Sequence, residues 1–208
     1  MNARADAAVL PEHTLTGELA MWVFLATEVL FFGVLFAAYL ITRIHHPEAF
    51  AAASRLTDLK LGSINTAALL TSSLTMALAA WTARAQRWRP CAWWLTTTAA
   101  FGVVFLVLKG MEYYSDFDRH LVPGASFSLP GPDRPGLEQF FFLYFMTTGT
   151  HATHLLIGIG LIVVLAVRAH FRHARLPSRL VETSGLYWHL VDIVWIFLFP
   201  LLYLVSRA

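Results

Sequence analysis

Five stretches of the chain stay apolar over lengths suited to crossing a bilayer. They are residues 19–42 (LAMWVFLATEVLFFGVLFAAYLIT), 62–83 (GSINTAALLTSSLTMALAAWTA), 91–111 (CAWWLTTTAAFGVVFLVLKGM), 139–167 (QFFFLYFMTTGTHATHLLIGIGLIVVLAV) and 185–205 (GLYWHLVDIVWIFLFPLLYLV). A hydrocarbon core about 30 Å thick takes roughly 20 helical residues at about 1.5 Å of rise each, so every run is long enough. The pattern predicts an all-α membrane protein, a bundle of five transmembrane helices forming a single membrane domain over 1–208. No internal repeat points to an array.

The polar interruptions carry the information. The first run is broken only by Glu28, and the second holds Asn65 and a Thr71-Ser72-Ser73 patch. The fourth holds Thr147, Thr148, Gly149 and Thr150, then His151 and His154 near its middle. Polar groups at that depth must face protein, water or a cofactor rather than lipid tails. His151, His154 and Gly158 are spaced i, i+3, i+7 and share one helical face, which predicts a seam for the other helices. Pro200, inside the fifth run, removes a backbone donor and predicts a kink or a loosened last turn.

Composition agrees with a membrane protein. The 208 residues are 57% hydrophobic and 13% charged, against about 25% charged in soluble domains, and the mean hydropathy is +0.60. The net charge of +2 matters less than where the charges fall. Loop 84–90 carries Arg84, Arg87 and Arg89, loop 168–181 carries Arg168, Arg172, Arg175 and Arg179, and neither holds an acid. Loops 43–61 and 112–138 contain Glu48, Asp58, Glu112, Asp116, Asp118, Asp133 and Glu138. Basic loops stay cytoplasmic, which predicts a cytoplasmic N-terminus and a periplasmic C-terminus. The polar first 19 residues lack the basic start, apolar core and cleavage site of a signal peptide. Loop 112–138, rich in Pro and Gly, reads as irregular, either a solvated connector or a docking surface.

Candidate chemistry is sparse. An ionised Glu28 near the bilayer centre costs several kcal/mol (about 3 or more), so it is expected to be neutral or partnered. It is either a proton-relay group or a buried hydrogen-bonded acid fastening the first helix to the His-bearing fourth. His151 and His154 read as neutral imidazoles bonding between helices, with metal or haem ligation as the alternative. His189 and Asp192, i and i+3 on the fifth run, read as a structural His–Asp pair or a pH-responsive one. Lys109, expected to snorkel, pairs with Glu112 as an anchor at the outer interface. Trp22, Trp93, Trp94, Tyr187 and Trp188 suit headgroup boundaries, and Gly149, Gly158 and Gly160 allow close backbone approach.

Cys91, the single cysteine, excludes an intrachain disulfide and a thiolate cluster. The chain shows no paired Glu-x-x-His motif, no His-Glu-x-x-His, no phosphate-binding glycine loop and no nucleophile–base–acid set. Nor is there a basic, aromatic-interleaved patch for nucleic acid. Together these absences argue against self-contained catalysis.

The assembled motifs resemble subunit III of the haem–copper terminal oxidases. The matching pieces are WVFLATEVLFFGVLFAAY around Glu28, LGSINTAALLTSSLTMALA, LKGMEYY, TTGTHATHLLIGIG and YWHLVDIVWIFLFPLLYL. The resemblance implies a non-catalytic subunit in a bacterial plasma (inner) membrane complex that reduces dioxygen to water and pumps protons. It implies no redox cofactor in this chain, with haem and copper in subunit I. Partners would be subunit I, with subunits II and IV, and membrane lipids, with bound phospholipid. It places the family's membrane-buried carboxylate at Glu28, its His-x-x-His pair at His151 and His154, and its last-helix residues at Trp188, His189 and Asp192. The long form of the family has two further helices ahead of those present here, so this chain resembles the short bacterial form, and the lipid cleft those helices border cannot be built from it alone. Three other readings compete: an accessory subunit of a nitric oxide reductase, an independent proton channel or transporter using Glu28, and a haem-binding protein. No inverted repeat supports the transporter.

Overall fold

The computed structural model describes residues 12–124, 127–130, 133–171 and 177–204, with side chains from residue 19 onward. The N-terminal segment 1–11, together with Arg172, Arg175, Gly131 and Pro132, which figure in the sequence reading, lies outside the described residues. Among the described residues six α-helices follow one another: α1 (Glu12–His45), α2 (Pro47–Leu56), α3 (Leu59–Arg84), α4 (Trp88–Asp118), α5 (Arg134–Phe171) and α6 (Ser178–Phe199). A π-helical turn, Pro200–Leu204, continues α6. Five of these are long and apolar enough to span a membrane, beginning at Leu19, Leu59, Trp88, Arg134 and Ser178.

Local chemistry sets the boundaries. Asp58 caps α3, its Oδ1 accepting from the amides of Lys60 at 2.9 Å and Leu61 at 3.1 Å, which satisfies two donors of the first turn. The α3–α4 turn is short because Gln86 adopts φ 57°. That left-handed residue lets the Arg87 amide reach back to the Thr82 carbonyl at 2.9 Å, while the Gln86 amide takes that of Ala83 at 3.0 Å, a Schellman closure. His120, with φ 55°, ends α4 in the same way. Pro200 has the expected effect: the backbone changes from α to π there, and the Tyr39 hydroxyl donates to the Leu201 carbonyl at 2.7 Å.

Helices α3, α4, α5 and α6 close a ring, each packed on its two neighbours, and α1 lies outside it against α5 and α6. The most apolar window of α1 is 6% buried, against 39% to 50% in the other four spans. One stripe of α1 does the packing: Leu25, Phe32 and Tyr39 are buried, and Glu28, Leu35 and Phe36 are partly so, a spacing near the 3.6-residue helical period.

Two elements differ from the sequence reading. Loop 43–61 contains α2, whose Ala49, Phe50 and Ala53 are buried; Phe50 lies edge-on to Tyr39 and Phe140, with centroids 5.2 and 5.3 Å away. Loop 112–138 is largely helical at both ends, because α4 runs on to Asp118 and α5 starts at Arg134. The segment between is anchored by Leu121 and Phe127, both 2% exposed. The Arg134 guanidinium also donates to the Phe127 carbonyl at 2.9 Å.

Candidate functional site: the polar groups inside the bundle

Glu28 projects from the packing stripe of α1 toward α5. Its Oε2 lies 2.9 Å from His154 Nε2, the two side chains being 16% and 20% exposed. The imidazole is not aimed for a straight hydrogen bond, so the contact is a close polar pair. His154 Nδ1 lies 2.9 Å from the Thr150 carbonyl, and Phe32 packs edge-on to the ring at 5.3 Å. The Tyr187 hydroxyl donates to the His154 carbonyl at 2.9 Å, joining α6 to the same turn of α5.

His151 points elsewhere. It is completely buried between Phe105 of α4 and Trp195 of α6, with ring centroids 5.5 and 5.2 Å away. Neither ring nitrogen has a hydrogen-bonding partner among the described residues. The two histidines therefore serve different interfaces. Among the described residues no three His, Cys, Asp or Glu side chains converge on a point where a metal ion could be held.

Gly158 marks the tightest part of the predicted seam. A Cβ there would stand 3.2 Å from the Trp188 ring and 3.3 Å from Tyr187. Gly149 and Gly160 differ from expectation: the nearest atom to a Cβ at Gly149 is Tyr113 Oη at 3.7 Å, and at Gly160 nothing lies within 4 Å. Gly102, which the sequence reading passed over, is closer than any of these, with Trp188 and Ile159 atoms 2.8 and 2.9 Å from its Cβ position.

Trp188 is not a boundary residue. It is fully buried, and its Nε1 donates to Ser72 Oγ at 3.1 Å. The predicted His189–Asp192 bond is also absent. His189 Nδ1 instead meets Ser73 Oγ at 2.8 Å, while the Asp192 carboxylate, 2% exposed, has no well-formed hydrogen bond. Residues i and i+3 share a face, but here α3 presents a hydroxyl to the histidine first. Asn65, fully buried on α3, likewise has neither amide atom hydrogen-bonded among the described residues.

The best-satisfied polar cluster lies at the α4–α5–π-turn junction. Lys109 and Glu112 are each 2% exposed and Asp116 5%, so Lys109 does not snorkel. Its three ammonium hydrogens match three acceptors: Glu112 Oε2 at 2.9 Å, Tyr144 Oη at 2.8 Å and Tyr203 Oη at 2.7 Å. Each tyrosine passes its own proton on, Tyr203 to Glu112 Oε1 at 2.7 Å and Tyr144 to Asp116 Oδ2 at 3.1 Å. The ammonium also sits 4.4 Å from the Tyr144 ring centroid, close enough for a cation–π contribution. Burial is tolerable because every donor is used. The i, i+3 spacing of Lys109 and Glu112 was legible, whereas Tyr144, Tyr203 and Asp116 carried no local signal linking them.

The sequence as a whole is similar to a known group of proteins. Residues 6–207 match the family described as cytochrome c oxidase subunit III. The chain belongs to that family. One relative, the probable quinol oxidase subunit 3 of Staphylococcus haemolyticus, is 30% identical over 192 residues, covering 92% of this chain and 90% of its own. That of Staphylococcus saprophyticus is 31% identical over 208 residues, covering 98% and 97%. As a subunit III family member with five long apolar helices, the chain is a multi-pass membrane protein of a terminal oxidase complex.

Proposed function

We propose that this chain is the non-catalytic subunit III of a bacterial haem–copper respiratory oxidase. It stabilises subunit I and supports proton uptake in a complex that reduces dioxygen to water and pumps protons. The observation that carries the reading is the family match across residues 6–207. Relatives named quinol oxidase subunit 3 favour an oxidase over a nitric oxide reductase as the partner. Haem and copper belong to subunit I under this reading, and His151 and His154 are engaged with different helices rather than forming a ligand pair.

The whole chain acts as one membrane domain in the plasma membrane, N-terminus cytoplasmic and C-terminus periplasmic, with subunits II and IV completing the assembly. The acid-free stretches 84–90 and 168–181 support that orientation. Glu28 and His154 fasten the outer helix α1 to the ring, and the Lys109 cluster fixes the π-turn. Asn65, His151 and Asp192 supply further buried polar groups, and His189 a partly buried one.

Affinity purification of the tagged chain in mild detergent tests this. A haem–copper subunit I with its haem absorbance is expected to accompany it. Recovery of nitric oxide reductase subunits, or of the chain alone, overturns the proposal.

A further inference from the structure

Three polar side chains, Asn65 of α3, His151 of α5 and Asp192 of α6, have no well-formed hydrogen bond to any described residue. Asn65 and His151 are completely buried, and Asp192 is 2% exposed. Both amide atoms of Asn65, both ring nitrogens of His151 and both carboxyl oxygens of Asp192 are in this position. A buried polar group without a partner carries its full desolvation penalty, and native proteins seldom leave one so.

The three stand at one level of the bundle, around Trp195. The Trp195 ring lies 5.2 Å from that of His151. Its Nε1 donates to Thr66 Oγ1 at 3.0 Å, which brings α3 to this height at the residue after Asn65. Asp192 precedes Trp195 by three residues on α6, about 4.5 Å along the axis, and shares its inward face. Phe105 of α4 closes the fourth side, 5.5 Å from the His151 ring and 4.7 Å from that of Trp195. Lys109 offers this layer no donor, because its three ammonium hydrogens go to Glu112, Tyr144 and Tyr203.

We propose that ordered internal water occupies this layer and hydrogen-bonds Asn65, His151 and Asp192, joining α3, α5 and α6. The donors and acceptors select the ligand. Asn65 brings an N–H pair and a carbonyl oxygen, an imidazole carries at least one N–H, and the carboxyl oxygens of Asp192 accept. A cation would answer only the acceptors and an anion only the donors. Water answers both, and polar partners from several sides are what hold a buried water. A bond through water is nearly as favourable as a direct one. The inference concerns the interior of this chain and holds whichever complex contains it.

Radiolytic hydroxyl-radical labelling of the full chain, in the complex it purifies with, tests this. X-ray pulses generate the radical from water in place, so side chains beside internal water are marked even when buried. Phe105 and Phe50 are the same residue type and both completely buried, but Phe50 packs against Tyr39 and Phe140. Oxygen addition at Phe105, with none above background at Phe50, is expected. Replacing buried polar groups with apolar ones of similar shape is nearly neutral for stability. The combined variant Asn65→Leu, His151→Phe, Asp192→Leu should therefore melt cooperatively and lose the labelling at Phe105. Should that variant fail to fold, the comparison of Phe105 with Phe50 in the unaltered chain decides alone. No labelling at Phe105, equal labelling of the two phenylalanines, or labelling at Phe105 that survives in the folded variant overturns the proposal.

Discussion

Glu28 Oε2 on α1 lies 2.9 Å from His154 Nε2 on α5, and the far side of the same imidazole lies 2.9 Å from the Thr150 carbonyl. A carbonyl only accepts, so Nδ1 carries a hydrogen. Nε2 faces the Glu28 carboxyl, and a polar partner at that distance is what makes a carboxyl tolerable on an otherwise apolar helix.

An amide of the same length can stand in for the carboxyl as the polar partner of His154. Glu28→Gln is expected to assemble with the remaining subunits at wild-type yield, whereas Glu28→Ala loosens α1, whose window is only 6% buried. Co-purification yield and detergent melting temperature of the two variants check this. Equal behaviour of the two would remove the polar role.

Lys109 holds together two carboxylates and two tyrosines that are nearly inaccessible. Lys109→Met leaves Glu112 and Asp116 without their cation and should destabilise by about 3–5 kcal/mol. Adding Glu112→Leu should recover part of that loss. The measurement is folded yield and thermal melting of both variants, and no recovery in the double variant would argue against the cluster as a unit.

Two glycines separate packing from propensity. Gly102→Ala drives a methyl against Trp188 and Ile159 at 2.8 and 2.9 Å, an overpacking cost of about 1–3 kcal/mol. Gly160→Ala meets open space and should stabilise the helix by about 0.5–1 kcal/mol. Paired thermal melts would show shifts of opposite sign.

Outside the spans, His46 Nδ1 donates to Asp133 Oδ2 at 2.6 Å, and this bond, followed by the Gly136 amide, holds the Asp133 carboxyl below its usual range. A depressed carboxyl contributes stability above its unfolded value of about 3.9 and loses it as the pH falls through the folded one. Hydrogen exchange at the Gly136 amide, which donates to Asp133 Oδ1 at 3.1 Å, should therefore gain no protonation-linked opening from Asp133 between pH 7 and about pH 5. Such opening should develop only in stronger acid and disappear in Asp133→Asn.

The five spans were legible because each is a long apolar run, and burial inside or outside the bundle does not alter that signal. The ten-residue α2 was not, since its short apolar face is weak beside the membrane runs, although Pro47 at its start and Glu48 in its first turn are ordinary helix openers. Sequence alone ends α4 too early because Glu112 and Asp116 read as loop acids; only tyrosines distant in sequence make them buried residues. Trp188 illustrates the same limit. A tryptophan near a span end suits either a headgroup boundary or a core, and what decides is Ser72 across the α3–α6 contact. The Glu28–histidine partnership was anticipated from depth alone, while the division of labour between His151 and His154 needed the packing of α4 and α6.

The most direct test is a double-mutant cycle on the thermal stability of the purified complex, using Glu28→Ala, His154→Ala and both together. The pair described here predicts non-additivity of about 0.6–1.7 kcal/mol, the range for polar contacts between membrane helices, with the double variant little worse than either single one. Strictly additive losses would mean that Glu28 and His154 do not hold α1 to the bundle through each other.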